Sequence, residues 1–167
     1  NETLGHEIGD EILKEVVGRL QKVLRPVDRV ARIGGDVFGV LVEHLKASTY
    51  AAQIAVKIID VLKAPFLVKG YELHIGCSLG IATYPACGKD SKALLRNAHL
   101  AVEKAKHLGH NTYQFFTATM NKEVALRMAQ ETDIRRAMKN QDLTFEMIQF
   151  STFEKEQNAC QLVALSW

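Results

Sequence analysis

The order of segments along this chain predicts a mixed α/β fold, and three observations carry the prediction. Apolar residues between Gly9 and Leu24 recur at helical intervals of three and four. Two apolar runs of strand character meet at Gly34-Gly35-Asp36. Segments of these two kinds then alternate to the end of the sequence. The 167 residues, 47% hydrophobic and 24% charged, are enough to enclose a real core. The same fractions exclude a disordered, collagen-like or disulfide-dense chain. With 21 basic and 19 acidic side chains the formal charge is +2, which gives no electrostatic basis for nucleic acid as a main partner. The longest apolar stretch, residues 51–62, is interrupted by Gln53, Lys57 and Asp60, so no membrane segment is expected. No secretion signal opens the sequence. Cys77, Cys87 and Cys160 are an odd number without a CxxC pair, which reads as reduced thiols in a cytoplasmic protein rather than a zinc site. A membrane tether elsewhere in a longer protein stays open.

The elements follow in order. Ile12, Leu13, Val16, Val17, Leu20, Val23 and Leu24 line one face of a first helix, and Pro26 helps to end it by disfavouring helical geometry at Arg25. Residues 30–33 and 37–42 read as strands joined by a tight hairpin, since glycine accepts positive φ freely. Residues 47–62 form a second helix, closed by Lys63-Ala64-Pro65. Residues 66–68 and 73–84 read as strands around a Lys69-Gly70 turn. Asp90 or Ser91 caps a third helix that ends near Gly109. Residues 112–116 make a short strand, residues 120–140 a charged connecting helix, and residues 143–150 and 161–165 two more strands. There is no internal repeat and no low-complexity segment.

Several chemical signatures are absent. Gly34 and Gly39 have the spacing of a phosphate loop, but Val40-Leu41 follow where Lys-Ser/Thr is required. No G-x-G-x-x-G, G-x-S-x-G or HExxH occurs. What remains is Gly34-Gly35-Asp36, an acid on a sharp turn whose two preceding residues carry no side chains. Such a turn lets backbone amides approach a phosphate and presents a carboxylate to Mg²⁺; taken alone, it reads as an ordinary hairpin.

The surrounding residues give it context. Asn1, Gly5-His6 and Gly9-Asp10 come first, then Arg25-x-x-Asp28 and Arg32-x-Gly34-Gly35-Asp36-Val37-Phe38. Ser78-x-Gly80-Ile81-Ala82, Tyr84-Pro85 and Ala105-Lys106-x-x-Gly109-His110-Asn111 follow. In this order and spacing the sequence resembles the GGDEF family, the diguanylate cyclases, from residue 1 to about 116. The resemblance implies a nucleotide-cyclase-like sandwich, a central and mostly antiparallel sheet with helices on both faces. It also implies one GTP per domain and two facing domains, a homodimer, joining two GTP into cyclic di-GMP by phosphoryl transfer. By the same resemblance Asn1 and Asp10 read guanine, and Gly34 and Gly35 accept the phosphates. Asp36 is a metal ligand for Mg²⁺, Lys106 and His110 face the phosphates, and Arg25 and Asp28 form the inhibitory product site.

Departures from the family pattern alter the expected chemistry. Val37 stands where the motif has Glu, and an isopropyl group can neither coordinate Mg²⁺ nor take a proton. His110 replaces an Arg, so a permanently charged, two-pronged fork gives way to an imidazole that lacks it. His99 and Glu103 replace Asp and Tyr. The family's first strand, which carries another metal-binding Asp, lies upstream of the match to Asn1.

The tail carries a second resemblance. Ile134-Arg135-Arg136-Ala137-Met138, Leu143-Thr144-Phe145 and Val163-Ala164-Leu165-Ser166-Trp167 look like the start of an EAL phosphodiesterase domain. Val163 replaces its metal-binding Glu and Ser166 an Arg. Two extra strands on the first domain are the alternative reading. The expected division is therefore residues 1–116 as a GGDEF-like domain, 117–140 as a connecting helix, and 141–167 as the beginning of an EAL-like domain. The leading expectation is a catalytically impaired regulatory module that binds GTP or cyclic di-GMP and relays occupancy to a downstream EAL domain. An active cyclase and a ligand-free dimerisation or docking scaffold are the alternatives.

Overall fold

A computed structural model describes residues 6–45, 47–150 and 160–166. Asn1, a predicted guanine reader, lies outside the described residues. The chain divides into two compact units, Asn1–Met120 and Asn121–Trp167.

In the first unit, α1 (His6–Val23) turns a stripe of Ile8, Val16 and Leu20 inward, as its spacing requires. These side chains meet Ile58 and Leu62 of α2 (Ser48–Lys63) and Phe66 and Val68 of β3 (Phe66–Val68) in one core. The hairpin β1 (Arg29–Gly34) and β2 (Val37–Leu41) is antiparallel, and Val30, Phe38 and Val40 pack against that core. Alternate positions on its other face, Ile33 and Leu41, stay exposed. The turn falls at Gly35 and Asp36, with φ +54° at Gly35, the left-handed first residue that a II′-type hairpin demands of glycine. β3 pairs antiparallel with β4 (Tyr71–Leu73) across Lys69 and Gly70, both at positive φ.

The expected strand over residues 73–84 divides in two. β4 ends at Leu73, and β5 (Ser78–Ile81) pairs in parallel with β6 (Thr112–Phe115). α3 (Ser91–His107) supplies the crossover that a parallel pair needs. Before β5, the Cys77 N–H donates to the Asn111 side-chain oxygen at 3.0 Å, so a side chain fills the place of a strand partner. Cys77 is half-buried, and burial pushes its thiol up to about 11, leaving it an inert small hydrophobe. Among the described residues the strands form four two-stranded pairs, three antiparallel and one parallel.

The mixed α/β class predicted from the sequence is the class observed. α3 begins where expected: the Asp90 carboxylate accepts from the Ala93 N–H at 2.8 Å. Asp90→Ala leaves that helix donor unpaired and is expected to cost about 1 kcal/mol, read as a lower urea midpoint at unchanged slope.

Helix α4 (Ala118–Asn140) spans the boundary between the units, with Met120 buried in the first. The second unit pairs β7 (Thr144–Phe150) antiparallel with β8 (Cys160–Ser166), Thr144 opposite Ser166 and Phe150 opposite Cys160. No helix among the described residues is long and apolar enough to cross a membrane.

Candidate functional site

The hairpin offers an open backbone and one acid. A Cβ placed on Gly34 or Gly35 meets nothing within 4 Å, so a ligand can approach the turn closely. Arg32 Nε donates to the Gly35 carbonyl at 2.9 Å and braces the turn from the strand below. Asp36 is exposed, and Val37 beside it is 45% exposed, a branched hydrocarbon held toward solvent. Among the described residues no three His, Cys, Asp or Glu side chains gather as a metal site. A single carboxylate fits Mg²⁺ only where phosphate oxygens and waters complete an octahedron. The donor set therefore suits an ion arriving with a nucleotide, not one caged by protein.

The other predicted phosphate and base contacts sit on separate elements. Asp10 is exposed on α1. Lys106 sits in the last turn of α3, where its ammonium donates to Glu103 Oε1 at 2.9 Å. The Glu103 carboxyl is held below the usual carboxylate range by that bond, with His99 and His107 adding smaller attractions. Glu103 stands where the resemblance expects Tyr, so part of the Lys106 charge is already neutralised. His110 is exposed at φ +60°, between Gly109 at +111° and Asn111 at +48°. No hydrogen bond or ion pair joins Asp10, Asp36 and Lys106 among the described residues.

Arg25 and Asp28, by contrast, are brought together. Asp28 Oδ2 accepts from the Arg25 backbone N–H at 2.9 Å and from Nε at 3.2 Å, while Oδ1 accepts from Nη2 at 2.9 Å. Arg25 Nη2 also donates to the Glu43 carbonyl at 2.8 Å, and the Asp28 N–H to the Arg25 carbonyl at 2.9 Å. The loop after α1 is thereby tied to the residues beyond β2. Hydrogen bonds from Arg25 hold the Asp28 carboxyl below its ordinary range against the opposing effect of burial, and the Glu43 amide contributes in the same direction. The same pairing raises the Arg25 guanidinium. Together with Gln21, Leu24, Pro26 and Val30 they line a half-open cavity of about 280 Å³. Sequence reasoning missed Gln21 and the Glu43 carbonyl. The signal for Gln21 was its place four residues before Arg25; nothing local announces Glu43.

The sequence and fold of the chain have recognisable relatives. Residues 1–112 match the family described as diguanylate cyclase, GGDEF domain, and the chain belongs to that family. It is 35% identical over 143 residues to MucR of Pseudomonas aeruginosa, described as a bifunctional diguanylate cyclase/cyclic di-GMP phosphodiesterase. That alignment covers 86% of this chain and 21% of MucR. PdeR of Escherichia coli, described as a cyclic di-GMP phosphodiesterase, is 35% identical over 143 residues, 86% of this chain and 22% of that protein. The chain thus spans about a fifth of the length of these curated relatives. Among solved structures, the GGDEF domain of TpbB from Pseudomonas aeruginosa has a TM-score of 0.72 at 32% identity, covering 75% of this chain and 73% of that one. An EAL/GGDEF domain protein from M. capsulatus has a TM-score of 0.67 at 43% identity, covering 70% and 76%. The fold is that of GGDEF cyclase domains.

Proposed function

We propose that this chain is a catalytically impaired GGDEF module that binds a guanine nucleotide and regulates a protein of cyclic di-GMP signalling. The carrying observation is the hairpin, where Val37 stands exposed beside the lone carboxylate of Asp36. An isopropyl group in that place removes a metal ligand and proton acceptor without closing the backbone cradle of Gly34 and Gly35. Loss of one such transition-state contact costs about 2.7–4 kcal/mol, a factor of 10²–10³ in rate. Asp36 would hold Mg²⁺ together with nucleotide phosphates, with Asp10, Lys106 and His110 as further contacts and Asn1 at the base. The Arg25 pocket would take cyclic di-GMP.

On this reading residues 117–140 connect the module to a domain that begins at residues 141–167 and resembles an EAL domain. In its support, the alignments to MucR and PdeR run 143 residues and so continue past the 112 that match the GGDEF family. Val163 and Ser166 in place of Glu and Arg argue that no hydrolysis occurs in this stretch. Occupancy of the first unit would be relayed to the following domain, and a homodimer would be needed for turnover but not for binding.

The test is a calorimetric titration with GTP plus Mg²⁺ and separately with cyclic di-GMP, alongside a Mg²⁺/GTP turnover assay. Binding heat without product is the expected result. A folded protein that gives heat with neither nucleotide excludes the proposal. Turnover abolished by Asp36→Ala would instead make the chain an active cyclase.

A further inference from the structure

Strand β6 has one open edge. Among the described residues it pairs with β5 alone. The Phe116 N–H donates to the Ile81 carbonyl at 2.8 Å, so the backbone of Phe116 faces β5. Backbone groups alternate sides along a strand, and Gln114 and Thr112 therefore face β5 as well. Tyr113 and Phe115 each direct an N–H and a C=O to the opposite side. No backbone hydrogen bond engages them there among the described residues. The strand Thr112-Tyr113-Gln114-Phe115 has no charge, no proline and no register shift, the devices that commonly keep an edge from pairing.

A cleft lies beside that edge. Tyr113 lines an open cavity of about 410 Å³ together with Ala52, Gln53, Val56 and Lys57 of α2. Ala52, Val56 and the Tyr113 ring make part of its wall apolar, and Val56 is 44% exposed. The Tyr113 ring stands edge to face with Phe115, centroids 6.1 Å apart, and is steadied by it. Gln53 and Lys57 add exposed polar groups, and no ion pair engages the Lys57 ammonium among the described residues.

We infer that this cleft takes an extended segment of a partner protein, added to β6 as a further strand. An apolar side chain of that segment rests on Val56 and Tyr113, and an acidic one meets Lys57. The backbone identifies the class of occupant. Donors and acceptors repeating every second residue are matched by another extended main chain, as in other cases of strand addition. Side chains two apart share one face of a strand, so the recognised pattern is an apolar residue with Asp or Glu two positions away. Lys57 sets the sign of that charge.

The experiment titrates the ¹⁵N-labelled 167-residue chain, without nucleotide, with two capped peptides, Thr-Val-Thr-Glu-Thr and Thr-Glu-Thr-Val-Thr. Together they present the pattern in both directions. In the free chain the Tyr113 and Phe115 amides should exchange readily with solvent. Millimolar peptide should shift and protect them, while the Gln114 amide, already bonded to β5, changes little. N-methylation of alternate peptide nitrogens should abolish binding in one phase and spare it in the other. Lys57→Glu, a change at an exposed position, should bind the better peptide about tenfold more weakly and recover when its Glu becomes Lys.

Unmoved Tyr113 and Phe115 amides at millimolar peptide would overturn the inference. So would binding that survives methylation in both phases, or a Lys57→Glu protein that binds like wild type. Amides already protected before peptide is added would give the edge to another occupant: a second copy if dilution exposes them, a segment of the same chain if it does not.

Discussion

Gly80→Ala is expected to cost about 3 kcal/mol or more of folding stability, at the upper end of what overpacking does. A Cβ on Gly80 would lie 2.0 Å from the Ala98 carbonyl oxygen and 2.5 Å from the Val102 nitrogen. These are backbone atoms of α3, so no side-chain rotation can make room. The helix would have to withdraw from β5, uncovering Ala101 and Ala105, which are both fully buried. Small residues on the helix and a glycine on the strand allow this close approach, and neither tolerates enlargement alone. Gly18 on α1 is the matching control, because its added Cβ meets nothing within 4 Å. Gly18→Ala should gain about 0.5–1 kcal/mol from backbone entropy alone. Urea unfolding followed by far-ultraviolet circular dichroism measures both changes. A Gly80→Ala protein as stable as wild type would mean that α3 does not sit so close to β5.

How much of this could be read beforehand differs from residue to residue. The first helix was legible because it repeats an apolar period over several turns, and the Asp90 cap marks the start of α3. The hairpin was legible because Gly34-Gly35-Asp36 interrupts two β-type runs. The strand break between Leu73 and Ser78 was not, since apolar composition cannot separate one strand from two with different partners. Within that break the Cys77 N–H donates to Asn111, a residue 34 positions away. Gly80 was visible as part of a motif, but its reason, the carbonyl of Ala98, lies on another element. At the site, the exchange of Glu for Val37 was plain from the sequence. The burial of Asp28 behind Arg25 and the occupation of Lys106 by Glu103 needed coordinates. Pairings set by tertiary contact leave little trace in local composition.

Arg19 illustrates the same point with a large expected effect, about 2–4 kcal/mol lost in Arg19→Met. The last carbonyls of α2 have no helical N–H to accept from, and Pro65 removes a further donor. Arg19 reaches across from α1 to supply them: Nη1 donates to Val61 at 3.1 Å and Ala64 at 2.6 Å, and Nη2 to Pro65 at 2.6 Å. Its guanidinium carbon lies 3.6 Å from the ring centroid of Phe66, which is wholly buried. The pair with Glu15 at 2.7 Å adds little, because the carboxylate stays partly in water. Glu15→Ala is therefore the mild comparison. Methionine keeps the length and the packing over Phe66 but leaves those carbonyls to water and removes the cation from a negative helix end. Arg19→Lys should recover only part of the loss, since a single ammonium cannot span three carbonyls and stack on a ring at once. Urea midpoints for the three variants separate these contributions, and a lysine variant equal to wild type would show that the planar fork is not what holds the corner. The helix pinned by this corner, α1, also carries Gln21 and leads directly into Arg25. If the Arg25 pocket takes cyclic di-GMP as proposed, a slackened α1 should weaken that binding even in an Arg19→Met protein that is still folded.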